Sequence, residues 1–154
     1  MTFYAELSAV LAWLLGEARA PEVRDHLSSA ELVIASDLTL VECDRVLIRA
    51  ATLGELTEAE AAGRRAELST AAAHWTVLRL SGEVIDRARQ PFPKEPIRTL
   101  DAFHLASALV ARAAVPDLTV LSLDEAVRAN ARALGFDLQP SDEDPPKNQD
   151  ETAD

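Results

Sequence analysis

A single cysteine, Cys43, stands in the 154 residues. No intrachain disulfide can therefore form, and a structural zinc site of the usual cysteine type is excluded. Histidine is scarce as well: His26, His74 and His104 lack the close pairing of a zinc-protease helix. Lysine occurs only as Lys94, in a proline-rich stretch, and Lys147, near the C-terminus. A phospho-receiver domain, which needs a lysine after a late strand to hold its phosphate, is ranked far behind for that reason. No apolar run reaches the length of a membrane span, and the longest candidate, Leu11 to Leu15, sits inside an amphipathic pattern. The opening Met1-Thr2-Phe3-Tyr4 has no basic region, unlike a secretory signal. The expectation is a soluble, cytoplasmic protein with no membrane attachment.

What is present is acid. The formal net charge is −11, with 48% hydrophobic and 27% charged residues, which are ordinary globular values. The segment from Pro140 to Asp154 sets Asp142, Glu143, Asp144, Asp150, Glu151 and Asp154 against Lys147 alone, a local net of −5. With Ala153 and two prolines as the only apolar residues beyond Pro140 it cannot pack a core, so residues 140–154 are expected to form a disordered acidic tail on a domain of residues 1–139. The remaining chain is still acidic, which argues against direct DNA binding through a basic face. It does not exclude a nuclease, because carboxylates that hold a metal present a cation to phosphate.

Periodicity predicts alternating strands and helices. Phe3-Tyr4-Ala5 ends a first strand, and Ser8 to Glu17 is a helix burying Val10, Leu11, Leu14 and Leu15. A second helix begins at Pro21, and Leu32 to Ala35 is a buried strand. Ser36 or Asp37 caps a helix to about Leu53, ended by Gly54, and Thr57-Glu58-Ala59-Glu60 is a capping box opening an alanine-rich helix to about Ala73. Trp75 to Leu80 is a third strand, and Ser81 caps a short helix. Gln90 to Pro96 carries three prolines and must be a loop. Thr99 caps an apolar helix to about Ala114, Leu118 to Leu121 is a fourth strand, Asp124 to Leu134 a helix stopped by Gly135, and Phe136 to Leu138 a last strand. This alternation implies one α/β domain, a mainly parallel sheet flanked by helices, with its site beyond the carboxyl ends of the strands.

Four acids stand out by position. Glu6 follows the first strand, Glu42 lies one turn into the helix after the second, Asp101 in the first turn of the apolar helix, and Asp124 at the helix start after the fourth strand. Magnesium and manganese prefer oxygen ligands. Two such ions can clamp a phosphodiester and activate water, and the ligands must come from distant segments because no one segment can surround an ion. Taken singly, Asp101 and Asp124 read better as partners of a helix dipole, and Glu42 as a solvated residue paired with Arg45. Taken together, the site reading overtakes those.

The motifs around the four acids carry a resemblance. Tyr4-Ala5-Glu6-Leu7-Ser8-Ala9 resembles the opening of a PIN domain, and Thr39-Leu40-Val41-Glu42 its second acidic motif. Arg98 to Ala108, with Asp101 inside it, closely resembles the third, and Leu121-Ser122-Leu123-Asp124 the fourth. The order covers nearly the whole chain to Leu138, and the length is similar to that of VapC toxins of bacterial type II toxin–antitoxin pairs. The resemblance implies a parallel sheet flanked by helices and a ribonuclease dependent on Mg2+ or Mn2+. It further implies Glu6, Glu42, Asp101 and Asp124 as catalytic and metal-binding acids, with the Ser8 and Ser122 hydroxyls supporting them. An RNA substrate, a cognate small antitoxin and a homodimer are the implied partners, the dimer helped by the alanine-rich helices before Trp75. The family usually has aspartate at the first acidic position, where this chain has Glu6; the extra methylene moves the carboxylate by roughly an ångström, and a misplacement of that size can cost about a hundredfold in rate. The rival reading is therefore a PIN-fold binding module of weak or absent catalysis, favoured by Glu6 and disfavoured by Glu42, Asp101 and Asp124. His104 reads as a packed or hydrogen-bonded helix residue rather than a base, Arg98 as a phosphate contact, a support for Asp101 or a solvent-facing side chain, Trp13 and Trp75 as core or interface, and Cys43 as an inert buried thiol.

Overall fold

The computed structural model describes residues 1–142. The chain alternates through β1 (Thr2–Ala5), α1 (Leu7–Leu15), α2 (Ala20–Ser29), β2 (Leu32–Ser36), α3 (Asp37–Thr52), α4 (Glu58–Ala72), β3 (Thr76–Leu78), α5 (Gly82–Ala88), α6 (Thr99–Ala114), β4 (Thr119–Leu121), α7 (Glu125–Ala133) and β5 (Asp137–Gln139). The five strands form one sheet in the order β3-β2-β1-β4-β5, and every neighbouring pair is parallel. The α/β architecture expected from the alternation is the one observed.

Side-chain alternation sorts the two faces. Tyr4, Ile34 and Val120 point to a core built with Val84, Leu105, Ala108, Val127 and Phe136 from α5, α6, α7 and the turn before β5. Ala5 and Val33 point the other way, against Val10, Leu14, Cys43, Leu47 and Leu68 from α1, α3 and α4. Burying a side chain such as Leu14, Leu47 or Leu105 contributes about 1.5–3 kcal/mol, more than the roughly 1 kcal/mol of a helix cap, so packing sets where the helices lie and caps set where they begin.

Those boundaries matter because the acids sit on them. The chain starts on the central strand β1, winds outward through β2 to β3, then crosses to β4 and β5. The reversal leaves a crevice beyond the carboxyl ends of β1, β2 and β4, where such sheets bind ligands. Ser36 caps α3 through a bond from the Leu38 amide at 3.1 Å, and the Thr57–Glu60 capping box forms as its spacing implies. Several boundaries shift by a residue, as in the last strand, which is Asp137–Gln139 rather than Phe136 to Leu138, and three differences have a local reason. Helix α1 ends at Leu15, not Glu17, because Gly16 takes the left-handed conformation at φ 67°. Strand β3 keeps only Thr76–Leu78 of the Trp75 to Leu80 stretch: it lies at the sheet edge and pairs with β2 alone, over three residues. Thr99 is the first helical residue of α6 rather than its cap; Arg98 holds the cap position. At the other end, Ser141 and Asp142 pack on the domain, Asp142 reaching Arg128 at 2.6 Å and Arg132 at 2.7 Å. The rest of the acidic tail expectation, from residue 143 on, lies outside the described residues.

Candidate active site

Glu6 is the cap residue between β1 and α1, and its side chain folds back onto its own helix. One oxygen, Oε2, accepts the Ser8 amide at 3.1 Å, the Ser8 hydroxyl, and the Ser122 hydroxyl at 2.7 Å. Ser8 Oγ in turn accepts the amides of Leu123 at 2.8 Å and Asp124 at 3.1 Å. This small network ties the exit of β1 to the exit of β4. It leaves Glu6 only 3% exposed.

Burial pushes the Glu6 carboxyl above its usual range, against the opposing effects of His104 and of the Ser8 and Ser122 hydrogen bonds. The sign follows from linkage. A carboxyl whose pKa is raised on folding contributes stability that is fully present below its unfolded value and is lost as pH rises through the folded value. Glu6→Gln is therefore expected to raise the metal-free melting temperature at neutral pH, since a glutamine carbonyl can accept the same three bonds without a buried charge. Thermal melts from mildly acid to neutral pH read this directly; a lower melting temperature at neutral pH would mean that the serine bonds to the anion outweigh its burial.

Asp101 lies in the first turn of α6 and reaches back over the helix start. It accepts the Arg98 amide at 3.4 Å, Arg98 Nε at 3.2 Å and Arg98 Nη2 at 3.4 Å. This back-reach explains the displaced cap: the acceptor comes from within the helix, so Thr99 is not needed outside it. Asp124 caps α7 through the Val127 amide at 3.0 Å and meets the same guanidinium, with Arg98 Nη2 at 3.1 Å from Oδ2. Arg98 is 76% exposed along its side chain and sits across the mouth of the crevice, its charge held above the ordinary arginine range first by Asp101 and then by Asp124. Glu42, on α3, faces the group from the β2 side, where its Oε1 lies 2.9 Å from His104 Nε2.

Glu6, Glu42, Asp101 and Asp124 thus line one cleft of about 220 Å³, with Ser8, Arg98, Leu100 and His104 completing the wall. A larger groove of about 460 Å³ adjoins Arg98; its wall includes Arg89, Gln90, Phe92 and Phe103, with Glu95 as its one acid, so the four carboxylates meet in the smaller cleft and not there. Ser122 supports the cleft from behind, through Glu6. The sequence left the part played by Arg98 open; the structure has it bridging Asp101 and Asp124. Tyr4 was not anticipated as a neighbour of this site, because its signal is that of a core aromatic. It is buried, and its hydroxyl lies 3.2 Å from His104 Nδ1. Cys43 faces the opposite core, and burial pushes its thiol up to about 12, which makes it unreactive.

The donor set is all carboxylate at the cleft, which suits a hard cation such as Mg2+ or Mn2+. Among the described residues no three histidine, cysteine or carboxylate groups stand gathered as a ready-made cage. The reason is local: Glu6 is turned onto its serines, Glu42 is drawn to His104, and a guanidinium spans Asp101 and Asp124. That last contact nevertheless shows where the fold demands positive charge, and the residues fit a divalent ion once the arginine yields.

Among the described residues no helix is long and apolar enough to cross a membrane. No curated protein matches the sequence. Among solved structures, the VapC20 toxin of Mycobacterium tuberculosis, described as cleaving the sarcin-ricin loop, aligns at TM-score 0.60 and 20% identity over 88% of this chain and 96% of its own. VapBC2 from Rickettsia felis, bound to a fragment of its promoter DNA, aligns at TM-score 0.60 and 8% identity over 90% and 98%. A toxin–antitoxin complex from Klebsiella pneumoniae aligns at TM-score 0.51 and 18% identity over 80% and 85%. Identities this low speak for the shared fold. The family model of the PIN domain matches residues 6–133, a span that runs from the first acid of the cleft to the end of the last helix, and the chain belongs to that family.

Proposed function

We propose that the chain is a divalent-metal-dependent endoribonuclease acting as the toxin of a VapBC-type pair. The observation that carries this reading is the meeting of four carboxylates, from four separate segments, at the switch point of a parallel sheet. Burial of the Glu6 carboxylate costs the metal-free fold, and four acids placed together make sense as a device for holding cation and phosphate. Asp101, Asp124, Glu6 and Glu42 are the groups to hold the ion. A bound Mg2+ or Mn2+ supplies activation of a water and neutralisation of charge on the phosphodiester. Ser8 and Ser122 fix the Glu6 oxygen and the Asp124 amide relative to each other. Arg98, exposed at the mouth, is placed to leave Asp101 and Asp124 for a phosphate oxygen of incoming RNA. Single-stranded or looped RNA reaches such an open edge more readily than a packed helix does.

The same reading takes a cognate small antitoxin as partner, a homodimer as the working form and the cytoplasm as the compartment. It is supported by the likeness of the fold to VapC20 and to two toxin–antitoxin complexes. The domain proper then spans residues 1–139, with an acidic tail beyond. The second reading, a PIN-fold module of weak catalysis acting through its partners, rests on Glu6 standing where the family usually has aspartate.

The deciding experiment is cleavage of a mixed RNA set by the purified protein with Mg2+ or Mn2+, with and without EDTA. Cleavage that requires metal and ceases with EDTA is expected. Cleavage indifferent to EDTA would refute the metal mechanism, and folded protein that cleaves nothing with either ion would favour the binding module.

A further inference from the structure

We propose that His104 is a positioning residue: its ring, backed by Tyr4, orients the Glu42 carboxylate toward the cleft. This deepens the reading above and rests on Glu42 being a metal-holding acid. The observation is a continuous line of polar contacts, from Tyr4 through His104 to Glu42, that is separate from the network of Glu6 with its serines and from the bridge of Arg98 to Asp101 and Asp124. Tyr4 lies at the centre of the sheet, fully buried, in the strand that ends just before Glu6. Its hydroxyl meets His104 Nδ1 at 3.2 Å, and His104 Nε2 meets Glu42 Oε1 at 2.9 Å. His104 itself is 1% exposed, so no solvent competes for either nitrogen. Glu42 is the only member of the line that lines the cleft with an acidic group.

The chemistry fixes the direction of the line. A phenol is an O–H at neutral pH, so Tyr4 has a proton to donate to the ring nitrogen 3.2 Å away. With that O–H donating to Nδ1, the ring N–H sits on Nε2 and is donated to Glu42 Oε1. The opposite tautomer would set a nitrogen lone pair against a carboxylate at hydrogen-bond distance, with nothing nearby to relieve it. The arrangement matters because Glu42 alone among the four acids has no hydroxyl or amide holding it: Glu6 has two serines, Asp124 caps α7, and Asp101 grips the start of α6. A glutamate on a helix has three side-chain torsions, and one fixed oxygen removes most of that freedom. A partner that orients a metal-holding group in this way typically changes metal affinity or activity by about 10–100-fold.

Helix geometry explains how the sequence builds this. Asp101 and His104 are three residues apart, hence on one face of α6, and Tyr4 is two residues before Glu6, on the opposite face of the sheet from Ala5. One helix thus presents an acid to the cleft and, one turn deeper, the ring that steadies another acid.

The test uses the intact protein and three variants, His104→Phe, His104→Gln and Tyr4→Phe, with Mn2+ affinity from calorimetry, kcat and KM on RNA, and the ring-nitrogen NMR signals of histidine. The natural protein is expected to show His104 protonated at Nε2 only. His104→Phe is expected to weaken Mn2+ binding and lower kcat by about tenfold or more, with KM little changed, whereas His104→Gln, which returns an N–H donor near Nε2, recovers most of the loss. Tyr4→Phe, which deletes one buried hydroxyl, is expected to mix the two tautomers and to weaken Mn2+ binding several-fold. Equal damage from phenylalanine and glutamine at 104, in folded protein, would make the role one of packing and overturn the proposal. If His104→Phe does not fold, Tyr4→Phe decides: unchanged ring-nitrogen signals and unchanged Mn2+ affinity overturn it. Failure of the natural protein to cleave RNA would count against the ribonuclease reading, while the tautomer and Mn2+ measurements would still judge the role of His104.

Discussion

Asp101→Asn is expected to lower metal-dependent RNA cleavage by about 10²–10³-fold, a loss typical of removing one preorganised electrostatic group from an active site. The substitution keeps size and shape, so the loss reports charge. In the metal-free protein the Asp101 carboxylate answers the Arg98 guanidinium with both oxygens, at 3.2 and 3.4 Å. An amide in its place offers one acceptor and turns its NH2 group toward the guanidinium. With metal, the same change removes one negative charge from the set that holds the cation, and KM for RNA should move less than kcat. Stability should change little: a favourable charge at a helix start is worth about 0.3–1 kcal/mol, and asparagine still has a carbonyl to cap with. Single-turnover cleavage beside a thermal melt checks both halves. Folded Asp101→Asn protein that cuts RNA at the natural rate would remove this acid from the mechanism and, with it, the argument that the four carboxylates form one site.

The succession of strands and helices along the chain, and the exits that carry the acids, are legible in the sequence because each rests on local signals. Ser36, Ser81 and the Thr57–Glu60 box mark helix starts by hydrogen bonds within four residues, and their spacing survives without knowledge of the fold. Thr99 failed as a cap for an equally physical reason. Its competitor, Asp101, meets the Arg98 amide from three residues downstream, and both residues satisfy the rules for a helix start. Strand β3 was read too long because an edge strand needs only one ladder of hydrogen bonds, so its length is set by β2 and not by its own β-branched residues. Within the site, Glu6, Glu42, Asp101 and Asp124 could be placed from position and motif. Their contacts could not. That Arg98 would bridge from Asp101 to Asp124, 26 residues beyond the arginine, depends on where α6 and β4 meet in space. That a core tyrosine would touch His104, 100 residues away, depends on the same docking of α6 over β1. A buried histidine with both ring nitrogens engaged and a packed histidine with none look alike in sequence.

Glu6→Asp is expected to lower kcat by about a hundredfold, although aspartate is the residue the family usually carries there. The first consideration is reach. Shortening the side chain by one methylene withdraws the carboxylate by roughly an ångström, and a displacement of that order is worth about a hundredfold. The second is whether the surroundings can follow. The Oε2 atom is fixed from two sides, by the Ser8 amide at 3.1 Å and the Ser122 hydroxyl at 2.7 Å. Ser8 belongs to the first turn of α1, whose start is set by the Glu6 cap and by burial of Ala9 and Val10. Ser122 is held at the exit of β4, its amide donating to the Gln139 carbonyl at 3.0 Å and its carbonyl accepting from the buried Arg128 at 2.8 Å. Arg128 is itself anchored by Asp142 at 2.6 Å. Neither serine can move toward a retracted carboxylate without breaking one of these bonds, so aspartate must give up Ser122 or Ser8. The cradle is built around the longer side chain. Because the change retains the charge, Mn2+ binding should weaken less than it does in Asp101→Asn, which separates misplacement from loss of charge, and the melting temperature should fall with the hydrogen bond that the buried carboxylate gives up. The measurement is kcat and KM on the same RNA for both proteins at saturating metal. Aspartate equal to or better than glutamate would show that Ser8 and Ser122 do not position this acid, and that Glu6 is a longer side chain accommodated by a cleft with room for the shorter one.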